Sequence, residues 1–412
     1  MPTDSIPNAF PDQPRLAMRG GAPLDILILA GFVRSLDWAE SLWVPDLAHA
    51  LAARGHKVEV VLDGCDLPSL FGNLPLTIFR PDRKHFGAEP FAFRRWARAH
   101  MHERPDSVCL SLTAWVCGDV WLPVGKRAKE VVGQLFAAHR PLAATLELAH
   151  HPWLMHELLA ERKAMRDSPR RRAAPLTIGP HAEGSSLRSL GYAARLAPLT
   201  GDAKVRARQQ VRRALSIGPD DLVLYLSATH TRDQTAAHLM SALAMLQRSA
   251  TPSRVGPHGT SSLAPAIRMV ASGRYPHTLE LFAREAGCDP AIIHAGARVD
   301  TAALLAASDV AVAAFGDPGS GTGRFVCEAI RAGLPVIAGA HAPGADLTDS
   351  GLHKPGIVVH DDSAEGWLAA LGKVLDERWL KDCRAAAASV GPDLTVERLV
   401  SRLESYLQGA LR

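Results

Sequence analysis

The stretch from Val310 to Ala338, VAVAAFGDPGSGTGRFVCEAIRAGLPVIA, predicts a strand, a glycine-rich turn, a helix and a second strand. The first strand is the apolar run at 310–315, and the helix extends from Arg324 to Arg331 before Gly333 ends it. The apolar run Pro335–Ala338 supplies the next strand. A strand, a helix and a strand in this order are typical of a parallel sheet covered by helices.

The turn at 319–323 carries three glycines, which let the backbone approach a ligand without a Cβ in the way. The free N–H groups at the start of the following helix offer a partial positive charge to an anion, usually phosphate. Glu328 lies about one helical turn further on, and its carboxylate suits a pair of sugar hydroxyls because it only accepts hydrogen bonds. A diphosphate at the turn and a ribose at the carboxylate predict a nucleotide-sugar site.

Other phosphate-binding turns fit these residues less well. The dinucleotide fingerprint G-x-G-x-x-G needs a glycine where Arg324 stands, and an acidic residue at the end of the next strand, where Ala338 and Gly339 stand. A Walker A loop needs Gly-Lys-Ser/Thr, which Gly323-Arg324-Phe325 does not supply. A turn that merely connects strand and helix fits the local pattern as well as a donor site does.

The start of the chain repeats the strand-helix-strand order. An apolar strand is predicted at Asp25–Ala30, a helix at 38–54 and a strand at 57–62, which favours a doubly wound parallel sheet. A second α/β series follows a polar stretch near residues 198–205. With 412 residues, of which 47% are hydrophobic, the chain is long and apolar enough for two such domains.

Charge and motifs exclude several classes of partner. A formal net charge of +4 does not indicate nucleic acid, so none is expected. No D-x-D triplet occurs, and His156-Glu157 lacks the second histidine of a zinc protease because Ala160 stands there, so neither a metal nor a cofactor is predicted. The first 23 residues have no apolar signal segment and no run is long enough to span a membrane, so a cytoplasmic protein is expected.

The block EAIRAGLPVIA at 328–338 is close to EAxAxGxPVIA, a pattern of a known enzyme family. The segment Ala48–Val60 is similar to the first helix and second strand of that family. With these motifs the chain resembles the retaining glycosyltransferases of family 4, part of glycosyltransferase group 1, and Gly319-Ser-Gly-Thr322 followed by Glu328 resembles the branch that carries GSGT. The resemblance implies the GT-B fold, an α/β fold in which two Rossmann-like, doubly wound parallel-sheet domains face a cleft.

The resemblance also implies a division of the chain. Residues 1–23 are predicted to be a disordered tail, 24–196 the acceptor-side domain and 197–392 the domain that binds the nucleotide-sugar donor. Residues 393–412 are predicted to form a helix that packs back on the N-terminal domain. The substrate is expected to be a UDP- or GDP-linked sugar, transferred as a hexosyl group with retention to a glycan or lipid-linked acceptor in polysaccharide biosynthesis, without a metal ion.

Site residues follow from the same resemblance. Glu328 is predicted to bind the donor ribose, while Ser320 stands where the family has a first glutamate against the sugar, so the identity of the sugar stays open. The turn Ala271–Pro276 is similar to the family's GxGP turn. The predicted donor-binding residues are Gly31, Gly273, Arg298, Gly319, Ser320, Gly321, Thr322, Arg324 and Glu328.

The residues expected to neutralise the diphosphate differ from those of the family. Where the family has an arginine and a lysine, the stretch at 227–233 has Ala228 and, near the lysine position, Arg232. A departing nucleoside diphosphate develops negative charge that a cation or a helix dipole must stabilise. Arg232 and Arg324 are the candidates, with His230 third, although a loop arginine such as Arg232 is as often solvated.

The N-terminal domain departs as well. The family often has a Thr-x-His pattern after a strand, and here a strand predicted at Leu142–Leu146 is followed by Glu147. Either Glu147 replaces the histidine or the loop is longer and His150 or His151 takes the role; we favour His151 as a catalytic residue. Trp38 is predicted to stack on an acceptor sugar, or else to cover the core at a helix start.

Two further alternatives concern function and location. The aromatic and basic run Phe91–His100 suits either peripheral contact with the inner face of a membrane or an ordinary amphipathic helix. The departures from the family also fit a relative that binds nucleotide sugar without turnover, and a nucleotide-sugar epimerase can share the fold.

Overall fold

The computed structural model describes residues 22–33, 39–79, 89–122, 145, 152–166, 176–177, 188–190, 193–194, 198–227, 233–250, 266–273, 276–296, 300–314, 323–340, 342, 344–349 and 354–410. Two parallel sheets dominate these residues. Near-continuous apolar strands are expected in parallel sheets, because helices cover both faces.

The first sheet has five strands in the order β3-β2-β1-β4-β5, and all its pairings are parallel. Its strands are β1 (Asp25–Val33), β2 (Lys57–Cys65), β3 (Leu76–Ile78), β4 (Val108–Ser111) and β5 (Val120–Trp121). A separate parallel pair is formed by β6 (Leu176–Thr177) and β7 (Arg188–Ser189).

The second sheet has six strands in the order β10-β9-β8-β11-β12-β13, again all parallel. Its strands are β8 (Leu222–Ser227), β9 (Ile267–Ser272), β10 (Ile292–Gly296), β11 (Val310–Ala313), β12 (Val336–Gly339) and β13 (Gly356–Val359). The predicted pair of α/β domains, each with a parallel sheet, is therefore confirmed.

Helices connect and cover these strands. In the first half they are α1 (Ala39–Ala53), α2 (Glu89–His102) and α3 (Pro152–Arg166). In the second half they are α4 (Gly201–Ala214), α5 (Asp233–Ala250), α6 (Pro276–Ala286), α7 (Thr301–Ala307), α8 (Arg324–Arg331), α9 (Ala345–Asp349), α10 (Ala364–Gly372), α11 (Glu377–Val390) and α12 (Val396–Ala410). None of the described helices is both long and apolar enough to cross a membrane.

The C-terminal helix α12 packs on the first sheet, far from it in sequence. Its apolar face, with Leu399, Leu403 and Leu407, is buried in the same core as β1 and α1. The C-terminal segment also touches the chain where it leaves the first domain, since Ala194 N–H donates to the carbonyl of Leu394 over 3.0 Å.

A charged cluster fastens α12 to the edge of this core. Glu404 accepts two hydrogen bonds from Arg54, at 2.5 and 2.6 Å, and one from His56 at 2.9 Å. Because His56 Nδ1 accepts the backbone N–H of Leu24 over 3.1 Å, Nε2 is the nitrogen that donates to Glu404. The carboxylate thereby joins α12 to the turn between α1 and β2.

One strand prediction fails in the first domain. Thr145 is helical, so the strand predicted at Leu142–Leu146 is wrong at that residue. A short apolar run does not distinguish a strand from a buried helical segment, which explains the error.

We predict that Glu404→Gln lowers the free energy of unfolding by about 2–3 kcal/mol, because Arg54 keeps its half-buried charge without a countercharge. Urea denaturation followed by circular dichroism measures the change. Glu397→Gln on the exposed face of the same helix is the control and should change stability by less than about 0.5 kcal/mol. Equal stability of the two variants would contradict the anchoring role of Glu404.

Candidate functional site

The strand order of the second sheet reverses between β8 and β11. In open parallel sheets, ligands bind at the carboxyl ends of the strands at such a switch point, because the two connecting loops diverge and leave a crevice. β8 ends at Ser227 and β11 ends at Ala313. The predicted glycine-rich turn follows β11 in the sequence, and its last residue, Gly323, precedes α8.

Helix α8 occupies the bounds that the sequence predicts, and it begins at a glycine. Gly323, the N-cap residue, is in the left-handed conformation with φ 68° and ψ 13°, and as a glycine it has no side chain with which to cap the helix. Three other helices of the domain do have side-chain caps, from Asp300 on α7, Ser363 on α10 and Asp376 on α11. The N-cap residue therefore supplies no acidic or hydroxyl group to the first N–H groups of α8, and N–H groups at a helix start are a common binding site for anions.

The backbone of a second glycine, Gly344, packs closely against the start of α8. Gly344 has φ +85°, and a Cβ placed on it would lie 3.0 Å from the Cα of Gly323 and 3.1 Å from the Cβ of Val326. These separations are tighter than most contacts of a Cβ, so Gly323 or Val326 would have to shift by a few tenths of an ångström. Gly344 thus sets how closely the segment after β12 packs on the first turn of α8.

Glu328 lies one turn inside α8, and its carboxylate is buried. Its side chain is 5% exposed, and its Oε1 accepts a hydrogen bond from Arg324 Nε over 2.6 Å. The Arg324 side chain is itself only 17% exposed. The sequence suggested Arg324 for the diphosphate and gave no indication of this ion pair.

A tyrosine that sequence reasoning missed lies beneath the helix start. Tyr225, on β8, is buried, and its hydroxyl lies 2.7 Å from Ser272 Oγ. Burial, followed by the nearby charge of Glu328, raises the pKa of Tyr225 to about 12, so the phenol stays protonated as a hydrogen-bond donor. Its ring meets Phe325 of α8 edge to face, with centroids 5.2 Å apart. A lone tyrosine in the aliphatic strand LVLYLS was the available signal.

Gly273, predicted on the donor side, follows β9 at the same edge of the sheet. Its φ is 138°, which favours glycine, and its N–H donates to the carbonyl of Gly296 over 3.3 Å. The ends of β9 and β10 are therefore tied together beside Tyr225.

Gly31 requires a correction, since it lies inside β1 rather than after it. The strand continues because Phe32 pairs with Gly64 and Val33 with Cys65 on β2. Parallel pairing with a long neighbour extends β1 beyond its most apolar run, which the sequence pattern alone does not indicate.

The other predicted site residues lie outside the described part of the chain. They are Trp38, His151, Arg232, Arg298, Gly319, Ser320, Gly321 and Thr322, together with the alternatives Glu147, His150 and His230. Within the described residues, no group of three or more His, Cys, Asp or Glu side chains is arranged to hold a metal ion.

The far end of α8 is also held. Lys204 of α4 donates to the carbonyl of Ala332 over 3.2 Å, and burial, with the nearby Arg208 and Arg384 charges, lowers the pKa of this lysine. A Cβ on Gly391 would lie 3.2 Å from the Cα of Arg331, so the segment before α12 packs directly on the last turn. Both ends of α8 are thus positioned by neighbouring backbone.

Solved structures share this architecture over nearly the whole chain. WaaG, a glycosyltransferase involved in lipopolysaccharide biosynthesis, is 17% identical, with 93% of this chain and 100% of WaaG covered and a TM-score of 0.64. HepE from Anabaena, in complex with UDP and glucose, is 13% identical, with 94% and 99% covered and a TM-score of 0.62. Sucrose-phosphate synthase from Thermosynechococcus elongatus is 15% identical, with 94% and 99% covered and a TM-score of 0.63. Comparison with curated protein sequences finds no match.

The two parallel-sheet domains therefore form the GT-B fold, as the sequence predicted. Residues 223–377, which include α8 and the switch point, match the family model of the glycosyl transferases group 1. This match covers less than half of the chain, so it shows that the region around α8 is similar to the glycosyl transferases group 1. Assignment to retaining family 4 and to its GSGT branch stays a prediction.

We predict that Gly344→Ala lowers the free energy of unfolding by about 2–3 kcal/mol, from backbone strain plus the contact with Gly323. Gly287→Ala is the matched control, because Gly287 also has a positive φ, of +75°, but a Cβ placed there would have no atom within 4 Å. It should cost only the strain, about 1 kcal/mol. Thermal denaturation compares the two, and equal losses would exclude the proposed contact.

Proposed function

We propose that the protein is a glycosyltransferase that moves a sugar from a nucleotide-sugar donor to a glycan or lipid-linked acceptor, with retention at the sugar. The observation that carries the proposal is the buried carboxylate of Glu328, one turn inside a helix that begins at glycine at the switch point. The group 1 domain match and neighbours such as HepE, solved with UDP and with UDP-glucose, support a nucleoside diphosphate sugar as donor.

In this proposal, the two ends of the first turn of α8 bind different parts of the donor. The N–H groups after Gly323 receive the diphosphate and stabilise the negative charge that develops as it departs. Glu328 accepts from the ribose hydroxyls and so fixes the donor relative to that charge site. Tyr225, through its contact with Phe325, supports this turn from below.

The chemical step is inferred from the family resemblance. The acceptor hydroxyl attacks the anomeric carbon on the face from which the diphosphate leaves, the bond to the diphosphate oxygen breaks, and that oxygen takes the acceptor proton. His151 and Arg232 stay our candidates beside the reacting sugar, on sequence grounds, and no metal ion is invoked. The donor is expected to be a UDP- or GDP-linked hexose.

We predict that Glu328→Ala weakens nucleoside diphosphate binding by about 10–100-fold, because hydrogen bonds to a charged acceptor are lost, and reduces transfer at least as much. Calorimetric titration of the wild type with UDP, GDP and ADP first identifies the nucleotide. Donor-hydrolysis assays with the corresponding sugars then measure turnover. Glu365→Ala is the control, because Glu365 is an exposed carboxylate in the first turn of α10.

The outcomes separate the alternatives. Wild-type activity in Glu328→Ala would show that this carboxylate does not bind the ribose. Tight nucleotide binding without turnover, with any donor and acceptor tested, would indicate a non-catalytic relative. Conversion of one nucleotide sugar into another without an acceptor would indicate an epimerase.

A lipid-linked acceptor requires access to a membrane surface, and α3 offers a candidate face. Met155 and Leu159 are 37% and 48% exposed, and the following turns expose Arg162, Lys163 and Arg166. Apolar and basic side chains on one helix suit an anionic lipid surface. We propose this face in place of α2, on which Phe93 and Arg94 are buried, Arg94 donating to the carbonyl of Lys163.

We predict that the protein sediments with vesicles that contain phosphatidylglycerol, and not with pure phosphatidylcholine, in a salt-sensitive manner. The double variant Met155→Ser, Leu159→Ser should bind about tenfold less, since two partly inserted side chains contribute roughly 1.5 kcal/mol. Leu281→Ser, at an equally exposed position on α6, is the control. Equal sedimentation of both variants would rule out this face.

A further inference from the structure

The ion pair between Arg324 and Glu328 runs against the direction that stabilises a helix. Arg324 is the first residue of α8 and Glu328 is the fifth. This order places the cation at the positive end of the helix dipole, where it is unfavourable, and an acidic residue four positions before a basic one is the better arrangement. Helix stability therefore does not account for the pair.

The burial of the Glu328 carboxylate explains the ion pair instead. The Glu328 carboxylate is almost entirely removed from water, and an isolated buried charge is costly unless a partner compensates it. Among the described residues, Arg324 is the cation in contact with it, at 2.6 Å. The arginine thus permits a charged carboxylate at this depth.

Among the described residues, no other contact occupies the second side of the carboxylate. Arg324 Nε donates to Oε1, and no described residue donates to Oε2. A carboxylate has about four lone-pair positions, so Oε2 and the remaining lone pair of Oε1 still have room for two donors. A side chain fixed by a guanidinium presents those positions in one orientation.

We propose that Arg324 is a positioning residue that holds Glu328 for the two hydroxyls of the donor ribose, rather than a cation that binds the diphosphate. The inference rests on the proposed function of the same site, and it reassigns the role that the sequence suggested for Arg324. The diphosphate is left to the N–H groups that follow Gly323.

Two affinity ratios distinguish these roles. For the nucleoside diphosphate that binds the wild type, the ratio to its 2′-deoxy analogue reports the ribose contact, and the ratio to its monophosphate reports the diphosphate contact. In the uridine series the probes are UDP, 2′-deoxy-UDP and UMP, measured by calorimetric titration. We expect the wild type to bind UDP about tenfold more tightly than 2′-deoxy-UDP.

In Arg324→Leu we expect the ribose ratio to fall to about one to two, while the diphosphate ratio keeps its wild-type value. Glu328→Gln should show the same loss, and the double variant no further loss, since the two residues act as one unit. Arg378→Leu is the matched control: Arg378 also precedes a carboxylate, Asp382, by four residues, but on an exposed face of α11, and both ratios should stay unchanged.

The opposite pattern overturns the inference. If Arg324→Leu loses the diphosphate ratio and keeps the ribose ratio, or changes neither, Arg324 does not position Glu328. If Arg324→Leu fails to fold, Arg324→Lys is the second test. Because the lysine ammonium is a point charge without the planar fork of a guanidinium, we expect an intermediate ribose ratio. An unchanged ribose ratio in Arg324→Lys would contradict the positioning role of Arg324. Failure of the wild type to bind any nucleoside diphosphate would refute the proposed function, and this inference with it.

Discussion

The burial of one carboxylate constrains the carboxyl edge of the second sheet at its switch point. A charged group at the depth of Glu328 needs a countercharge, and the nearest position on the same helix face is one turn earlier, at Arg324. The first residue of α8 is therefore an arginine, although a cation at the N-terminal end of a helix is unfavourable for the helix itself. The helix start is then free of an acidic cap, because the N-cap is Gly323. Two charges and one glycine in the first turn of α8 therefore favour the proposed anion site over a stable helix end.

The same helix connects this site with the two chain crossings between the sheets. α8 has eight residues and is about 12 Å long. Its last turn packs on Gly391, and Arg331 reaches the carbonyl of Ala194 over 3.5 Å. Ala194 in turn pairs with Leu394. The last turn of α8 is therefore in contact with both crossings.

The sequence predicted the fold and the bounds of α8, because apolar runs alternating with a glycine-ended helix are visible in the residues themselves. It did not predict α4, because the basic sequence GDAKVRARQQVRRA was interpreted as a polar crossing, although it consists mainly of good helix formers. The spacing of Arg324 and Glu328 is visible in the sequence, but their burial is not, so the pairing was missed. Tyr225 was missed for the same reason: its hydroxyl finds Ser272 only when β8 and β9 lie side by side.

Basic residues of α4 contact the C-terminal ends of two helices, α7 and α8. Arg208 and Arg212 both pair with Asp309 and donate to carbonyls at the C-terminal end of α7, and Lys204 does the same for α8. The negative ends of both helices are thus compensated on the side away from the site. At the other ends the helices differ, since the Asp300 carboxylate caps α7, whereas the N-cap residue of α8 is a glycine. Of these two helices, α8 is the one whose N-cap residue carries no acid, and it also carries Glu328, which is why we propose its positive end as the diphosphate site.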